Sequence, residues 1–174
     1  MKTLKRRRKE NKTDYANRLK LLKSEKPRIV FRKTNRYIIA QYVTSEDAQD
    51  KIEIGTNSKQ LMKYGWPKEF AGSLKSISAS YLTGFLIGKK IIHEKSQKAE
   101  PLAGSSKIQT KETPIVDIGM IRNLHGSKVF GFLKGLKDSG VKIKCDEKFF
   151  PSKEKIEIKK IPFEKIKSKI GEEK

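Results

Sequence analysis

The side chains best equipped to do chemistry in this sequence are cations. Fifteen lysines and arginines face only three acids (Glu10, Asp14 and Glu25) within the first 36 residues, a net +12 of the chain's formal +21. They run from Arg6-Arg7-Arg8 through Lys12-Thr13-Asp14-Tyr15 into the basic and apolar stretch from Pro27 to Val43. Like charge at this density repels itself in water and gains most when a polyanion neutralises it. Nucleic acid is the polyanion that fits, because displaced counterions supply much of the binding free energy whatever the base sequence. The plainer alternative is a solvated tail that serves solubility.

Groups that make or break bonds are scarce. His93 and His125 are the only histidines, and neither has a Cys or His at metal-ligand spacing. Cys145 is the single cysteine. It excludes an internal disulfide, fits a reducing compartment and has no adjacent partner for nucleophilic catalysis. The segment Gly84 to Lys89 (GFLIGK) imitates a phosphate-binding loop, but its glycines stand one residue too close, and Lys90 takes the place of the required Ser or Thr. Asp117 is the carboxylate to weigh, because strands in the order read below occur in ribonuclease-H-like folds, whose enzymes hold two metal ions with several carboxylates on neighbouring strands. The first strand here offers Arg28, Arg32 and Lys33 instead. One acid facing a basic strand cannot hold two divalent cations. Asp117 is therefore expected to be structural, bonding backbone groups near the following turn, and neither a metal nor any other cofactor is expected. Trp66, between Gly65 and Pro67, suits either core packing or an exposed stacking platform.

The elements that must position these residues follow from pattern. Residues 1–12 cannot form a core and read as an extended arm. Thr13 or Asp14 can cap a short helix carrying Tyr15, Leu19 and Leu22 on one face, ended by Pro27. Arg28–Lys33, Tyr37–Val43 and Lys51–Gly55 read as strands, the first two joined through Thr34-Asn35-Arg36 as an antiparallel hairpin. Both faces of the second are mostly apolar, which predicts a central strand covered on both sides. In the third, Ile52 and Ile54 are expected inward. Ser58 is placed to cap a short helix to Tyr64, and a long helix spans 72–98, with Gly84 and Gly88 leaving a flat strip for close approach of a sheet or helix. The polar stretch 100–112 reads as a loop, Pro114–Gly119 as a buried strand, Ser127–Ser139 as a helix ended by Gly140, and Val141–Lys144 as a last strand. The order β-β-β-α-β-α-β predicts an α/β fold, a mixed sheet with helices on its faces. Three parts are expected: a basic arm (1–12), an α/β domain (13–149) and a Lys-rich C-terminal arm (150–174).

The 174 residues fit one domain plus extensions. The longest apolar run, Tyr81 to Gly88, is far short of the ~18–20 residues of a membrane span, and the N-terminus lacks the apolar core of a signal peptide. No membrane partner is expected, and the cytoplasm is the expected compartment.

Several stretches together resemble a known family. Lys12-Thr13-Asp14-Tyr15 with Arg18-Leu19 and Leu22, then PRIVFRKTNRYIIAQ from Pro27 to Gln41, are similar to the archaeal branch of ribosomal large-subunit protein eighteen. So are Gly65-Trp66, Tyr81-Leu82-Thr83-Gly84, Asp117-Ile118-Gly119 and VFGFLKGLKDSG from Val129 to Gly140. The resemblance covers roughly Lys5 to Val141, in order. It implies a structural protein of the large subunit that binds 5S ribosomal RNA and seats it in the central protuberance, touching the large-subunit RNA and neighbouring large-subunit protein five. It also implies a ribonuclease-H-like topology without catalytic activity. The family's RNA-facing parts fall here on Lys5, Arg6, Arg7, Arg8, Lys9, Lys12, Thr13, Tyr15, Arg18, Arg28, Arg32, Lys33, Asn35 and Arg36. Tyr15 and Trp66 are candidates to stack on unpaired bases. The sequence departs from the family pattern near Gly104 to Glu112 and after Phe149.

Two other classes compete: a metal-dependent nuclease, disfavoured by the carboxylates, and a free RNA chaperone that binds many RNAs alike. The charge pattern itself generates a prediction. With six to ten cations on phosphates, affinity for RNA should fall by roughly three to five orders of magnitude between ~50 and ~200 mM salt. A nearly flat salt titration in a gel-shift assay would refute backbone contact by the arm.

Overall fold

Residues 3–47, 49–97, 113–157 and 161–172 are described by the computed structural model of the chain. Arg6–Lys9 wind one helical turn, α1, where an extended arm was expected. Arg7 Nε donates to Thr13 Oγ1 at 2.9 Å, and Lys5 Nζ lies 4.7 Å from the centre of the Tyr15 ring, so this turn folds back on the helix that follows. That helix is α2 (Tyr15–Lys23), and Asp14 caps it by accepting from the N–H groups of Ala16 (3.0 Å) and Asn17 (3.1 Å).

The three expected strands form: β1 (Arg28–Lys33), β2 (Ile38–Glu46) and β3 (Gln49–Asn57). The β1–β2 hairpin pairs Ile29 with Tyr42 and Phe31 with Ala40. A short β4 (Ile115–Asp117) adds to β1 in parallel, Val30 opposite Asp117, and the mixed sheet runs β3-β2-β1-β4. β2 is interior, as expected, but its second face is covered at one end only, where Val43 (3% exposed) sits beside Arg28. Ile38, Ala40 and Tyr42 are buried, whereas Ile39 and Gln41 stay half-exposed because both long helices pack on the same side. The alternation in β3 also breaks. Tyr42 pairs with Ile54 but Val43 with Ile52, so a bulge at Glu53 turns Ile52 to the opposite face, where it is 54% exposed.

Ser58–Tyr64 form a 3-10 turn. The side chain of Asn57, not Ser58, caps it, and the buried Ser58 hydroxyl instead accepts from Ile38 N at 3.0 Å. The long helix α3 (Ile77–Gln97) starts later than expected, since residues 68–73 make a separate 3-10 turn and Ser76 Oγ accepts from Ala79 N at 3.2 Å. α4 (Lys128–Asp138) ends at Gly140, whose φ of +104° lets Val141 N reach back to Leu136 O at 3.2 Å. No strand follows. Val141 is buried and Ile143 and Cys145 pack against the core edge, so the apolar alternation is real, but this segment pairs with no strand among the described residues.

The flat strip on α3 receives α4. A Cβ on Gly84 would collide with the carbonyl of Phe132, and one on Gly135 with the carbonyl of Tyr81. Gly131 faces Ile77, Gly135 faces Tyr81 and Ser139 faces Gly88, so contact positions rise together and the helices run parallel. This pair and the sheet enclose one core, in which Phe31 and Phe132 lie 4.9 Å apart between ring centres. The other side of α3 faces a second core built by the C-terminal segment. Ile156 of α5 (Lys153–Ile156), Ile161, and Phe163, Ile166 and Ile170 of α6 (Phe163–Glu172) are buried with Leu61, Trp66, Leu74 and Tyr81. The described part of residues 150–174 is thus packed rather than arm-like. Its isoleucines fall at helical spacing, a signal the surrounding lysines conceal.

Gly135→Ala should cost about 1–3 kcal/mol, because the added methyl meets backbone rather than a movable side chain. Urea denaturation would detect this, and an unchanged midpoint would show that α3 and α4 can separate freely.

Candidate nucleic-acid interface

The arm residues sit outside the folded core. Every residue from Thr3 to Lys12 is exposed, and Glu10 is shared by Arg6 (3.0 Å) and Lys12 (2.7 Å). Those two hydrogen bonds, Lys12 first, hold the Glu10 carboxyl below its ordinary range. Asp14 is occupied in capping. Two of the three local acids are therefore used internally and Glu25 is exposed, while Arg8, Lys9, Lys20, Lys23, Lys33 and Arg36 are exposed without an acidic partner among the described residues.

Asp50 ties this region to the sheet. It accepts from Arg28 Nη2 at 2.5 Å and from Arg18 Nη2 at 3.2 Å, and Arg28 also donates to Ser45 Oγ at 2.8 Å. The Arg28 side chain is only 4% exposed. Its charge is spent inside the protein, which corrects its place among the RNA-facing residues: a guanidinium enclosed and paired this way has no face left for a phosphate. Arg18, half-exposed, joins α2 to β3 and keeps open donors. Sequence reasoning passed over Asp50, since one acid among Glu46, Asp47 and Asp50 carries no pattern to set it apart.

Arg32 and Asp117 face each other across the parallel β1–β4 pair. Arg32 Nη2 donates to Asp117 Oδ2 at 2.7 Å, and Nη1 donates to the carbonyls of Asp117 and Phe31, each at 2.9 Å. The other carboxylate oxygen of Asp117 accepts from Gly119 N at 2.8 Å, the turn contact expected from the sequence. Burial works against the charged form, but the bonds from Arg32 and Gly119 and the charges of Arg32 and Arg28 hold the carboxyl below its usual range. Gly119 has φ +63°, and a Cβ there would meet the Arg32 guanidinium at 3.1 Å. An arginine fills the position where a metal site needs further carboxylates. Arg32 itself stays 42% exposed.

The remaining candidates separate clearly. Lys33, Asn35 and Arg36 are exposed at the hairpin turn. Tyr15 is partly buried beneath Lys5, and Thr13 accepts from Arg7. Trp66 is 2% exposed, with Nε1 donating to Phe70 O at 3.0 Å, so it packs in the second core and cannot serve as a stacking platform. His125 packs against Phe149, ring centres 4.3 Å apart. Burial, with the charge of Asp146, pushes the Cys145 thiol up, the opposite of an activated nucleophile.

An exposed basic surface on a mixed sheet, with its sole candidate acid neutralised by arginine, leaves sequence similarity to decide the family. The profile described as ribosomal large subunit proteins 60S L5 and 50S L18 matches residues 1–146. The chain belongs to this family. Curated archaeal relatives agree, each called "Large ribosomal subunit protein uL18". The Korarchaeum cryptofilum protein is 38% identical over 151 residues, 87% of this chain and 68% of its own length. The Methanoregula boonei protein is 38% identical over 151 residues, 87% and 76% of the two chains. That of Methanospirillum hungatei is 37% identical over 150 residues, 86% and 75%. As a member of the L5/L18 family the chain is a structural, non-enzymatic constituent of the large ribosomal subunit, associated with ribosomal RNA. No described helix is long and apolar enough to cross a membrane. Ile156, Ile161, Phe163, Ile166 and Ile170, which complete the second core, lie outside the family match.

The Asp117 geometry gives a pH test with a definite sign. A carboxyl lowered on folding contributes stability that is present above the ordinary Asp value of about 3.9 and lost as pH falls through the folded value. Asp117→Asn should cost about 1–3 kcal/mol at neutral pH and flatten the acid limb of the stability profile. Urea midpoints between pH 2 and 7 would show it, and parallel curves for the two proteins would refute the coupling.

Proposed function

We propose that this chain binds 5S ribosomal RNA and helps attach it to the large-subunit RNA in the central protuberance, beside large-subunit protein five. The observation that carries the reading is the set of exposed cations in the first 36 residues left over after Glu10, Asp14 and Asp50 have been used. Lys5 to Lys9 and Lys12 supply the arm; Arg18, Arg32, Lys33, Asn35 and Arg36 supply the folded surface. The arm (1–12) takes phosphates and sets affinity, and the sheet sets geometry. RNA is recognised by shape, backbone and unpaired bases, and Tyr15 offers the aromatic face for one such base. The reading is supported by the family's place in the large subunit and by the motifs shared with its archaeal branch.

Deleting residues 1–12 should leave the fold intact, because none of the described residues in that stretch is buried. The shortened protein should bind 5S RNA more weakly and with a shallower salt dependence, by roughly one unit of slope for each phosphate that the arm no longer neutralises. Circular dichroism and salt-titrated gel shifts on both forms, with transfer RNA as competitor, measure this. Equal competition by transfer RNA would instead favour a general RNA chaperone.

A further inference from the structure

Three lysines from distant parts of the chain lie at one end of the junction of sheet and helices, Lys33 just past Phe31, which packs on Phe132 of α4, and Lys75 and Lys128 just before Ile77 and Gly131, where α3 and α4 touch. Lys33 is the last residue of β1, Lys75 stands two residues before α3, and Lys128 opens α4. Lys33 and Lys75 are exposed and Lys128 is partly buried. Burial lowers the pKa of Lys128, and the positive charges of Lys33 and Lys75 lower it further. Among the described residues no acid pairs with any of the three.

The surroundings add charge of the same sign. Because α3 and α4 run parallel, their first turns lie together, and Ser80 Oγ of α3 donates to Lys128 O at 2.5 Å. Neither first turn contains an acid, and Ser127 supplies no side-chain cap to α4. A lysine at the first position of a helix opposes the helix dipole, where an acid would be favourable. Folding alone therefore gains nothing from this arrangement. An anion gains from all of it, and helix N-termini beside a strand's carboxyl end favour anions in α/β folds.

We propose that Lys33, Lys75 and Lys128 form a phosphate site that holds a backbone phosphodiester of the ribosomal RNA. The site rests on the RNA-binding reading above, but Lys75 and Lys128 belong to neither the arm nor the hairpin turn. It gives the protein a second anchor, set in the rigid junction of sheet and helices.

The test uses the full chain with Lys75→Gln and Lys128→Gln combined, and 5S RNA as the probe. The free variant should melt at the same temperature or higher, since like charges have been removed. Its salt dependence for 5S RNA should be shallower by roughly one to two units of slope. In ethylation interference, one or two phosphates whose modification blocks the wild type should cease to matter. Lys75→Gln alone, at an exposed site, should flatten the slope in smaller measure and guards against misfolding of the double variant. Wild-type slope and wild-type interference in both variants would overturn the site. So would protection of the wild type, but not the variant, by inorganic phosphate with RNA binding unchanged, which would mark a free-phosphate site. If instead the wild type itself binds 5S RNA with no salt dependence, the RNA-binding reading fails first.

Discussion

The backbone-to-backbone approach of α3 and α4 is the constraint on which the other parts depend. Gly84 and Gly135 let each helix touch a carbonyl of the other, a separation that any Cβ would increase. At that distance the pair forms a single wall. One side of it covers Ile29, Phe31 and Ile38 of the sheet, and the other receives Phe163, Ile166 and Ile170 of the C-terminal segment. This double use explains why α3 is buried from Ser78 to Gly88 with no polar face along that stretch. Its hydroxyls find carbonyls instead: Thr83 donates to Ala79 O at 2.7 Å, and Ser78 to Ile156 O at 2.5 Å. Tyr81 closes the seam by donating to Asp138 at 2.5 Å, and burial with that bond pushes its hydroxyl pKa up.

Electrostatics divides the basic residues into two populations. Arg28 and, in part, Arg18 and Arg32 are spent on Asp50 and Asp117, where they join β1, β3, β4 and α2. These pairs occupy Asp50 and Asp117, while Glu25, Glu46 and Asp47 stay exposed. The other cations are left exposed and mutually repelling, which opposes compactness and favours association with a polyanion. A ribosomal protein works under that balance: the cost in the free chain is offset once RNA phosphates surround it.

Much of the fold was legible in the residues. Asp14 as a cap, the Thr34-Asn35-Arg36 turn, Gly140 as a helix stop and Asp117 bonded to its own turn are all local effects, set by groups within a few positions of each other. The errors arose where distant groups intervened. The bulge at Glu53 reversed the face of Ile52, and Ser58 was drawn away from its own turn to satisfy the backbone of Ile38. Val141 and Ile143 packed without becoming a strand, and the Lys-rich tail carried enough isoleucine to build a second core. In the candidate site, Arg28 looked available and is enclosed, and Trp66, open to either role in the sequence, packs in the core.

By itself the sequence determined the first three strands and the two long helices, the basic character of the N-terminal third, the scarcity of carboxylates near Asp117 and, through its motifs, the family. Charge and local periodicity are additive along a chain and survive without knowledge of the fold. Only the tertiary structure decided which cations are neutralised. Arg28 and Lys33 stand five residues apart on one strand, yet Asp50 lies within bonding distance of the first, and Lys128 lies close enough to the second to feel its charge. Coulomb interaction depends on distance in space, and that distance is set by a helix pair packed glycine to backbone.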